Sequence, residues 1–241
     1  MAAQNTIFLH EAVMLLALRD AEGTIAPGTM YQYAMGGAVL AELLLNHRIR
    51  VEESKKKLVN LVTSKPLGDP LLDECLEKIR SAKRRASLQT WVSRLAGMRN
   101  FKHRVAERLC QRGILRADKD KVFLIFTRKI YPEIDPEPER QLVERLRTAI
   151  FTDTTDVDPR TVVLLSLANS AGLLKATFDR KKLKDRKARI AQIINGEMTG
   201  KAAKEAIEAM QAAVMVGVIM PILVHQVLRR CAASKTTPRF R

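Results

Sequence analysis

The segment TIFLHEAVMLLALR, residues 6–19, decides the fold of this chain. Its apolar side chains fall on nearly every face of a helix, and such a helix is stable in water only where other elements bury it. We predict that this helix is buried and that Gly23 closes it. In the whole chain Leu, Ala, Val, Ile and Met are plentiful, while aromatic residues make up 5%. That composition favours helices packed on helices.

The helix signals predict a mainly α fold, in which amphipathic helices and one or two small β-hairpins surround a buried helical bundle. Asp69-Pro70 and Asp158-Pro159 are start signals, because Asp suits the N-cap and Pro the first turn. Gly36 and Gly37 lie inside a helix pattern and would permit close packing of helices. The predicted helices cover residues 6–19, 29–46, 70–83, 87–96, 98–112, 138–150, 159–176, 181–195 and 201–230.

Alternating apolar and polar residues predict two hairpins. The first has arms at residues 48–51 and 58–62, with three lysines, residues 55–57, at its tip. The second has arms at residues 114–116 and 122–126 around Asp118-Lys119-Asp120. Its second arm is a candidate exposed strand edge, formed by Val122, Phe123, Leu124, Ile125 and Phe126.

The domain prediction is one helical domain over residues 1–233, followed by a mobile basic tail, residues 234–241. Residues 209–228 are apolar enough and long enough to span a bilayer. Gly217 and Pro221 interrupt them, so we interpret the segment as a buried core helix kinked near Pro221. The N-terminus lacks the basic region of a secretion signal.

No motif for catalysis, a cofactor or a metal is present in the sequence. The four histidines have no metal-ligand spacing, and no glycine-rich phosphate loop or nucleophile elbow occurs. Cys75, Cys110 and Cys231 are odd in number and widely spaced, which favours buried thiols in a reducing compartment. We therefore expect a binding protein that is not an enzyme, with no catalytic residue, cofactor or metal.

The charge is uneven. Lys and Arg number 42 against 26 Asp and Glu, a net charge of +16. Residues 80–108 contain nine basic residues and one acidic residue, and residues 179–189 contain seven basic and two acidic. Such polarity attracts polyanions, either phospholipid head groups or nucleic acid.

Two cations stand out in the predicted helix 98–112. Met98, Phe101, Val105 and Leu109 recur at helical spacing and define its buried face. Arg99 and Lys102 share one flank of that face near the helix start, where free backbone N–H groups also favour anions. They suit a phosphorylated head group, and the alternative is a solvated face without a ligand.

Several runs, in this order and spacing, carry a resemblance. They are residues 11–23, 37–43, 48–49, 68–74, 91–92, 99–100 and 112–115. Together they resemble the Golgi phosphoprotein 3 family over residues 6–178.

The resemblance implies a peripheral membrane protein that recognises phosphatidylinositol 4-phosphate. It acts as an adaptor for cytosolic tails of membrane proteins such as glycosyltransferases, on the cytosolic face of the Golgi in a eukaryote. The resemblance also implies homo-oligomers formed through the hairpin at residues 118–126. Arg99 and Lys102 match two basic residues of the family's phosphate pocket. Residues 24–40 lack the family's Trp and Arg, leaving Tyr31 and Tyr33 as aromatic substitutes, which indicates a divergent or bacterial member with generic anionic-membrane binding.

Two other functions are compatible with the residues. A helix followed by a hairpin occurs twice in a very basic chain, as in winged-helix nucleic-acid-binding proteins, although helix 29–46 has no Arg or Lys to enter a groove. A structural oligomer built through the edge at residues 122–126 is the other alternative.

Overall fold

The computed structural model describes residues 7–19, 21–52, 54–122 and 126–195. These residues form short helices and three separate two-stranded antiparallel sheets. In chain order the elements are α1 (Leu9–Ala17), β1 (Leu18–Arg19), β2 (Thr24–Ile25), α2 (Tyr31–Leu45), β3 (Ile49–Val51), β4 (Val59–Leu61), α3 (Pro70–Arg80), α4 (Leu88–Ala96), α5 (Phe101–Gln111), β5 (Asp118–Val122), β6 (Phe126–Ile130), α6 (Glu137–Phe151), α7 (Pro159–Ser170), α8 (Leu174–Thr177), α9 (Arg180–Asp185) and α10 (Lys187–Ile194). The predicted mainly α fold with small hairpins is confirmed.

Helix α1 is the centre of the core. Every one of its residues is buried, and it contacts α2, α5, α6 and α7. Both predicted start signals are real N-caps, since the carboxylate of Asp69 accepts from the backbone N–H of Leu71 and that of Asp158 from Thr161. The predicted helix 201–230, the possible membrane span at residues 209–228 and the tail 234–241 lie outside the described residues.

Charged groups inside the core join α1 to helices that are distant in sequence. Glu11 is fully buried and accepts a hydrogen bond of 2.6 Å from Arg112 Nη1. Glu42 is equally buried, and it accepts from the backbone N–H of Leu9 at 2.6 Å and from Arg160 Nη1 at 3.1 Å. Burial raises the pKa of Glu11 despite its cationic partner. Glu11 and Glu42 therefore link helices through buried ion pairs, and neither role was predicted from the sequence.

The second hairpin lies later in the chain than predicted. Asp118 and Asp120 belong to strand β5 instead of the turn, and the register pairs Asp118 with Ile130 and Asp120 with Arg128. An ion pair of 2.6 Å between Asp120 and Arg128 favours this register. The residues predicted as the first arm are used elsewhere, because Ile114 and Leu115 are buried in the core.

Two predicted helices are each divided into two. The helix predicted over residues 159–176 ends at Ser170, because Gly172 adopts a left-handed conformation with φ of 76° before α8. The basic helix predicted over residues 181–195 is α9 followed by α10. The joint is held by Arg186, whose Nη1 lies 3.1 Å from Asp153 Oδ1 and whose Nη2 donates to the carbonyl of Phe151 at 2.8 Å.

The two described cysteines are free thiols. Cys75 is buried with its Sγ 3.7 Å from Met98 Sδ, and burial raises its pKa to about 12. Cys110 is half-buried, and the same cause raises its pKa. Both thiols stay protonated at neutral pH and are weak nucleophiles. Cys231 lies outside the part of the chain that the structure describes.

Gly36 permits the close contact of α2 with α4 that the sequence predicted. A Cβ atom at this position would lie 2.8 Å from the carbonyl oxygen of Val92 and 3.2 Å from the backbone nitrogen of Ala96. Both atoms belong to the backbone of α4, so neither is free to move aside as a side chain would.

We expect Gly36→Ala to lower the free energy of unfolding by about 1–3 kcal/mol, the usual effect of overpacking a core. Gly97→Ala is the matched control, because its Cβ would approach the Ser93 carbonyl no closer than 3.4 Å and its φ of −85° suits alanine. Urea unfolding of both variants measures the difference. Equal stability of the two variants would contradict this packing.

Candidate anion-binding site at the start of helix α5

The cations on one flank of helix α5 form ion pairs with described residues, and those on the other flank do not. One flank ties the helix to α1 and to the start of α3 through ion pairs of Arg104 with Glu74, Arg108 with Asp69, and Arg112 with Glu11. The other flank has Lys102, with Arg99 just before the helix. Within the described residues neither forms an ion pair. The helix is therefore anchored by one set of cations and presents a second set.

Arg99 and Lys102 lie in a region of positive charge. Arg99 is exposed, and Lys102 is half-buried. Burial lowers the pKa of Lys102, and the positive charge of Arg128 on β6 lowers it further. A neighbouring cation that lowers a lysine pKa reports positive potential, which an anion would relieve.

The start of α5 offers backbone donors to such an anion. Asn100 is the N-cap in a left-handed conformation, with φ of 56°, and no side chain caps the helix. In the described part of the chain the backbone N–H groups of Lys102 and His103 have no hydrogen-bond acceptor. Free N–H groups and the helix dipole both favour an anion at a helix N-terminus.

A pocket of about 360 Å³ lies beside these groups, which we call the α5 pocket. Its lining residues are Arg99, Asn100, His103, Arg104, Glu107 and Lys129. Lys129 comes from strand β6 and forms an ion pair of 3.1 Å with Glu107. The pocket therefore combines residues of α5 and of the second hairpin.

His103 reports the charge of the α5 pocket. Its Nδ1 shares a hydrogen bond of 2.8 Å with the hydroxyl of Tyr131, whose own pKa is raised by burial to about 12. Burial lowers the pKa of His103, and the charges of Lys102 and Lys129 lower it further. The charge of Glu107 raises the pKa of His103 but does not outweigh these causes.

The sequence profile of the Golgi phosphoprotein 3 (GPP34) family matches residues 9–210 of the chain. The chain belongs to the Golgi phosphoprotein 3 family. It is also 24% identical, over 223 residues, to vacuolar protein sorting-associated protein 74 of Schizosaccharomyces pombe. That alignment covers 79% of this chain and 66% of the relative, so the chain spans slightly less than two thirds of the relative's length.

The structure places one of the four predicted site residues of this family member in the α5 pocket. Arg99 lines the α5 pocket, whereas Lys102, the neighbour of His103 on helix α5, does not. Tyr31 and Tyr33 begin α2, are half-buried, and do not line the pocket. The hydroxyl of Tyr31 instead accepts from Gln32 Nε2 at 3.3 Å. Their part in phosphate binding stays a prediction.

The basic stretch at residues 80–108 is only partly available for ligands. Arg80, Arg85, Arg94, Arg104 and Arg108 contact protein groups, as when Arg94 lies 4.9 Å from the centre of the Trp91 ring. Within the described residues, Lys83, Arg84, Arg99 and Lys102 have no such partner. Fewer of these cations are therefore available to a polyanion than the sequence predicted.

The residues proposed for self-association are described only in part. Val122 ends β5 and Phe126 begins β6, while Phe123, Leu124 and Ile125 lie outside the described residues. Their role in self-association stays a prediction.

The first of the two helix-hairpin units behind the nucleic-acid alternative offers no recognition helix. Helix α2 is buried from Ala34 to Leu43, so it has no face to place in a groove.

For the described residues, no helix has the length and apolar character needed to cross a membrane.

Proposed function

We propose that this protein is a peripheral membrane protein that binds anionic phospholipid, with phosphatidylinositol 4-phosphate as its preferred lipid. The observation that carries the proposal is the pair of unpaired cations, Arg99 and Lys102, at an uncapped helix start beside the α5 pocket. Both would donate charge-assisted hydrogen bonds to a phosphomonoester, and free backbone N–H groups would add to them.

The surrounding charges support reversible binding to a membrane surface. Each Lys or Arg close to an anionic leaflet contributes about 1 kcal/mol. Lys83 and Arg84 are exposed and unpaired within the described residues, so they add to the attraction. A few such contacts suffice for reversible membrane binding without a membrane-spanning segment.

We further propose that the protein acts as an adaptor that links the membrane to cytosolic tails of membrane proteins. In a eukaryotic host it would do so in vesicle trafficking on the cytosolic face of the Golgi. Membership of the Golgi phosphoprotein 3 family supports this proposal, as does the likeness to a relative whose name refers to vacuolar protein sorting.

Self-association through the second hairpin is a related proposal. Within the described residues β5 pairs only with β6, so each strand keeps one unpaired edge of N–H and C=O groups. Light scattering of the full chain and of a variant with residues 118–130 replaced by a short Gly-Ser linker tests it. We expect an oligomer that becomes smaller without the hairpin, and an unchanged mass would contradict the proposal.

Liposome flotation tests the lipid proposal. Vesicles of phosphatidylcholine alone, with phosphatidylserine, or with phosphatidylinositol 4-phosphate at matched negative charge are compared at low and high salt. We expect the strongest flotation with the phosphoinositide, and weaker binding in salt because surface charges are screened. Equal flotation with phosphatidylserine would overturn the lipid preference, and no flotation with any vesicle would overturn membrane binding.

A further inference from the structure

Glu107 is the one acidic residue among the six that line the α5 pocket. A carboxylate in a site for an anion works against binding, because it repels the ligand that the surrounding cations attract. Phosphate binding through Arg99 and Lys102 gives this carboxylate no role.

The lining of the α5 pocket is polarised along the helix. Arg99 and Asn100 lie at the helix start, and His103 and Glu107 follow on the face of α5 that Asn100 begins, since residues three and four apart share one face of a helix. At a rise of about 1.5 Å per residue, Glu107 lies about 10 Å along the helix axis from Asn100. The pocket therefore has a positive end at the helix start and a carboxylate at its other end.

Strand β6 holds the Glu107 carboxylate at that end. Lys129 Nζ lies 3.1 Å from Glu107 Oε1, and both side chains line the pocket. Both are about half exposed, and exposed ion pairs contribute little to stability. The pair neutralises Lys129, so the cation that β6 brings to the pocket is not available to an anion.

The negative charge of Glu107 acts on the groups beside it. Burial raises the pKa of Tyr131 to about 12, and the charge of Glu107 adds to that rise. Burial and two lysines lower the pKa of His103, and the charge of Glu107 opposes them. His103 Nδ1 and the Tyr131 hydroxyl share a hydrogen bond of 2.8 Å. A negative group bound beside His103 would meet the same field.

The charges at the α5 pocket match a ligand with a single phosphomonoester. Arg99 and Lys102 have no ion pair among the described residues, and a phosphomonoester carries a charge of about −1.5 to −2 at neutral pH, which these two cations balance. The other two cations of the lining, Arg104 and Lys129, are each paired with a carboxylate. A second phosphate would therefore meet the charge of Glu107 without a free cation to offset it.

We propose that Glu107, held in place by Lys129, determines the specificity of the α5 pocket: it admits a head group with one phosphomonoester and excludes a head group with a second phosphate beside the first. Discrimination of this kind comes from a repulsive group placed against the wrong ligand. The inference rests on the proposed function, since it concerns the same pocket.

Calorimetric titration of the full chain with two deacylated lipids tests the inference. The ligands are glycerophosphoinositol 4-phosphate and glycerophosphoinositol 4,5-bisphosphate. We expect the wild-type protein to bind the 4-phosphate more tightly, although the bisphosphate carries more negative charge. Tighter binding of the bisphosphate would overturn the role of Glu107 and leave the proposed lipid site in place. Failure of both ligands to bind would overturn the proposed site itself, and this inference with it.

Glu107→Gln tests the carboxylate. We expect the dissociation constant of the bisphosphate to fall by about 10-fold or more, because repulsion is lost and Lys129 gains a phosphate as partner, while that of the 4-phosphate changes less. Glu77→Gln is the matched control, since Glu77 forms an equally exposed ion pair with Arg80 on α3 and does not line the pocket. An equal gain for both ligands, or an equal gain in the control, would contradict the inference.

Lys129 is tested in the Glu107→Gln background. Adding Lys129→Ala should abolish the gain in bisphosphate binding, whereas adding Lys119→Ala should leave it unchanged. Lys119 lies opposite Lys129 in the register of the hairpin, is exposed, and does not line the pocket. Equal melting temperatures show that both variants are folded. A gain that survives Lys129→Ala, or is lost equally in both variants, would contradict the part given to Lys129.

Discussion

Replacing Arg112 with leucine is expected to lower the free energy of unfolding by about 3–5 kcal/mol, as removal of one partner from a buried ion pair does. Glu11 is fully buried, and Arg112 Nη1 donates to it at 2.6 Å. Without the guanidinium, a carboxylate in the middle of the core loses its cation while it stays out of water. Denaturant unfolding measures the loss.

The sign of the pH dependence follows from Glu11. Burial already raises the pKa of this carboxyl group, and loss of Arg112 would raise it further. A raised folded pKa means that stability falls as pH rises through it, because the charged form is the unfavourable one. The loss in Arg112→Leu should therefore be larger at pH 8 than at pH 5.

Two further variants separate this explanation from a general loss of packing. Glu11→Leu combined with Arg112→Leu should recover most of the lost stability, because no unpaired charge remains. Arg140→Leu removes an exposed partner of Glu137 and should leave stability unchanged within error. An Arg112→Leu variant as stable as this control would contradict the role of the buried pair.

Replacing Arg99 and Lys102 together with alanine is expected to weaken binding to liposomes containing phosphatidylinositol 4-phosphate by about 100-fold or more. Each hydrogen bond to a charged group contributes about 1.5–3 kcal/mol, and the double variant removes two such donors. Within the described residues neither side chain has an ion pair, so the fold should be unaffected. Flotation over a lipid titration measures the change.

Lys83→Ala with Arg84→Ala is the matched control for that variant. It removes the same charge from the same basic stretch, at two exposed residues away from the α5 pocket. General attraction to an anionic surface predicts equal weakening by both pairs, whereas a phosphate held at α5 predicts a much larger effect of Arg99 and Lys102. Equal weakening would mean that the pocket has no specific role.

Local signals in the sequence were sufficient for most helices. Asp69 and Asp158 predict the starts of α3 and α7, because an N-cap hydrogen bond joins residues only two or three positions apart. Gly172 ends α7 for an equally local reason, yet a single glycine in an apolar run did not outweigh the helical pattern. The joint at Arg186 depends on Asp153 and Phe151, more than thirty residues earlier, and no local pattern contains it.

The site could be predicted only in part, because Lys129, one of the six residues that line the α5 pocket, comes from strand β6. Arg99 and Lys102 were predicted from their spacing, although only Lys102 belongs to helix α5. Lys129 and Arg128 reach α5 only through the register of β5 with β6, and alternation alone fits two registers of that hairpin. The sequence did not single out His103, because its role depends on the cations that the fold places around it.

The pKa of His103, measured by NMR with and without the soluble head group inositol 1,4-bisphosphate, tests the central claim most directly. In the free protein, burial and the charges of Lys102 and Lys129 hold this pKa below its usual value. A bound phosphate should raise it, and by linkage His103 should take up protons when the head group binds. A His103→Gln variant assigns the signal among the four histidines. An unchanged His103 pKa at a head-group concentration that saturates the protein would place the phosphate elsewhere and contradict the α5 site.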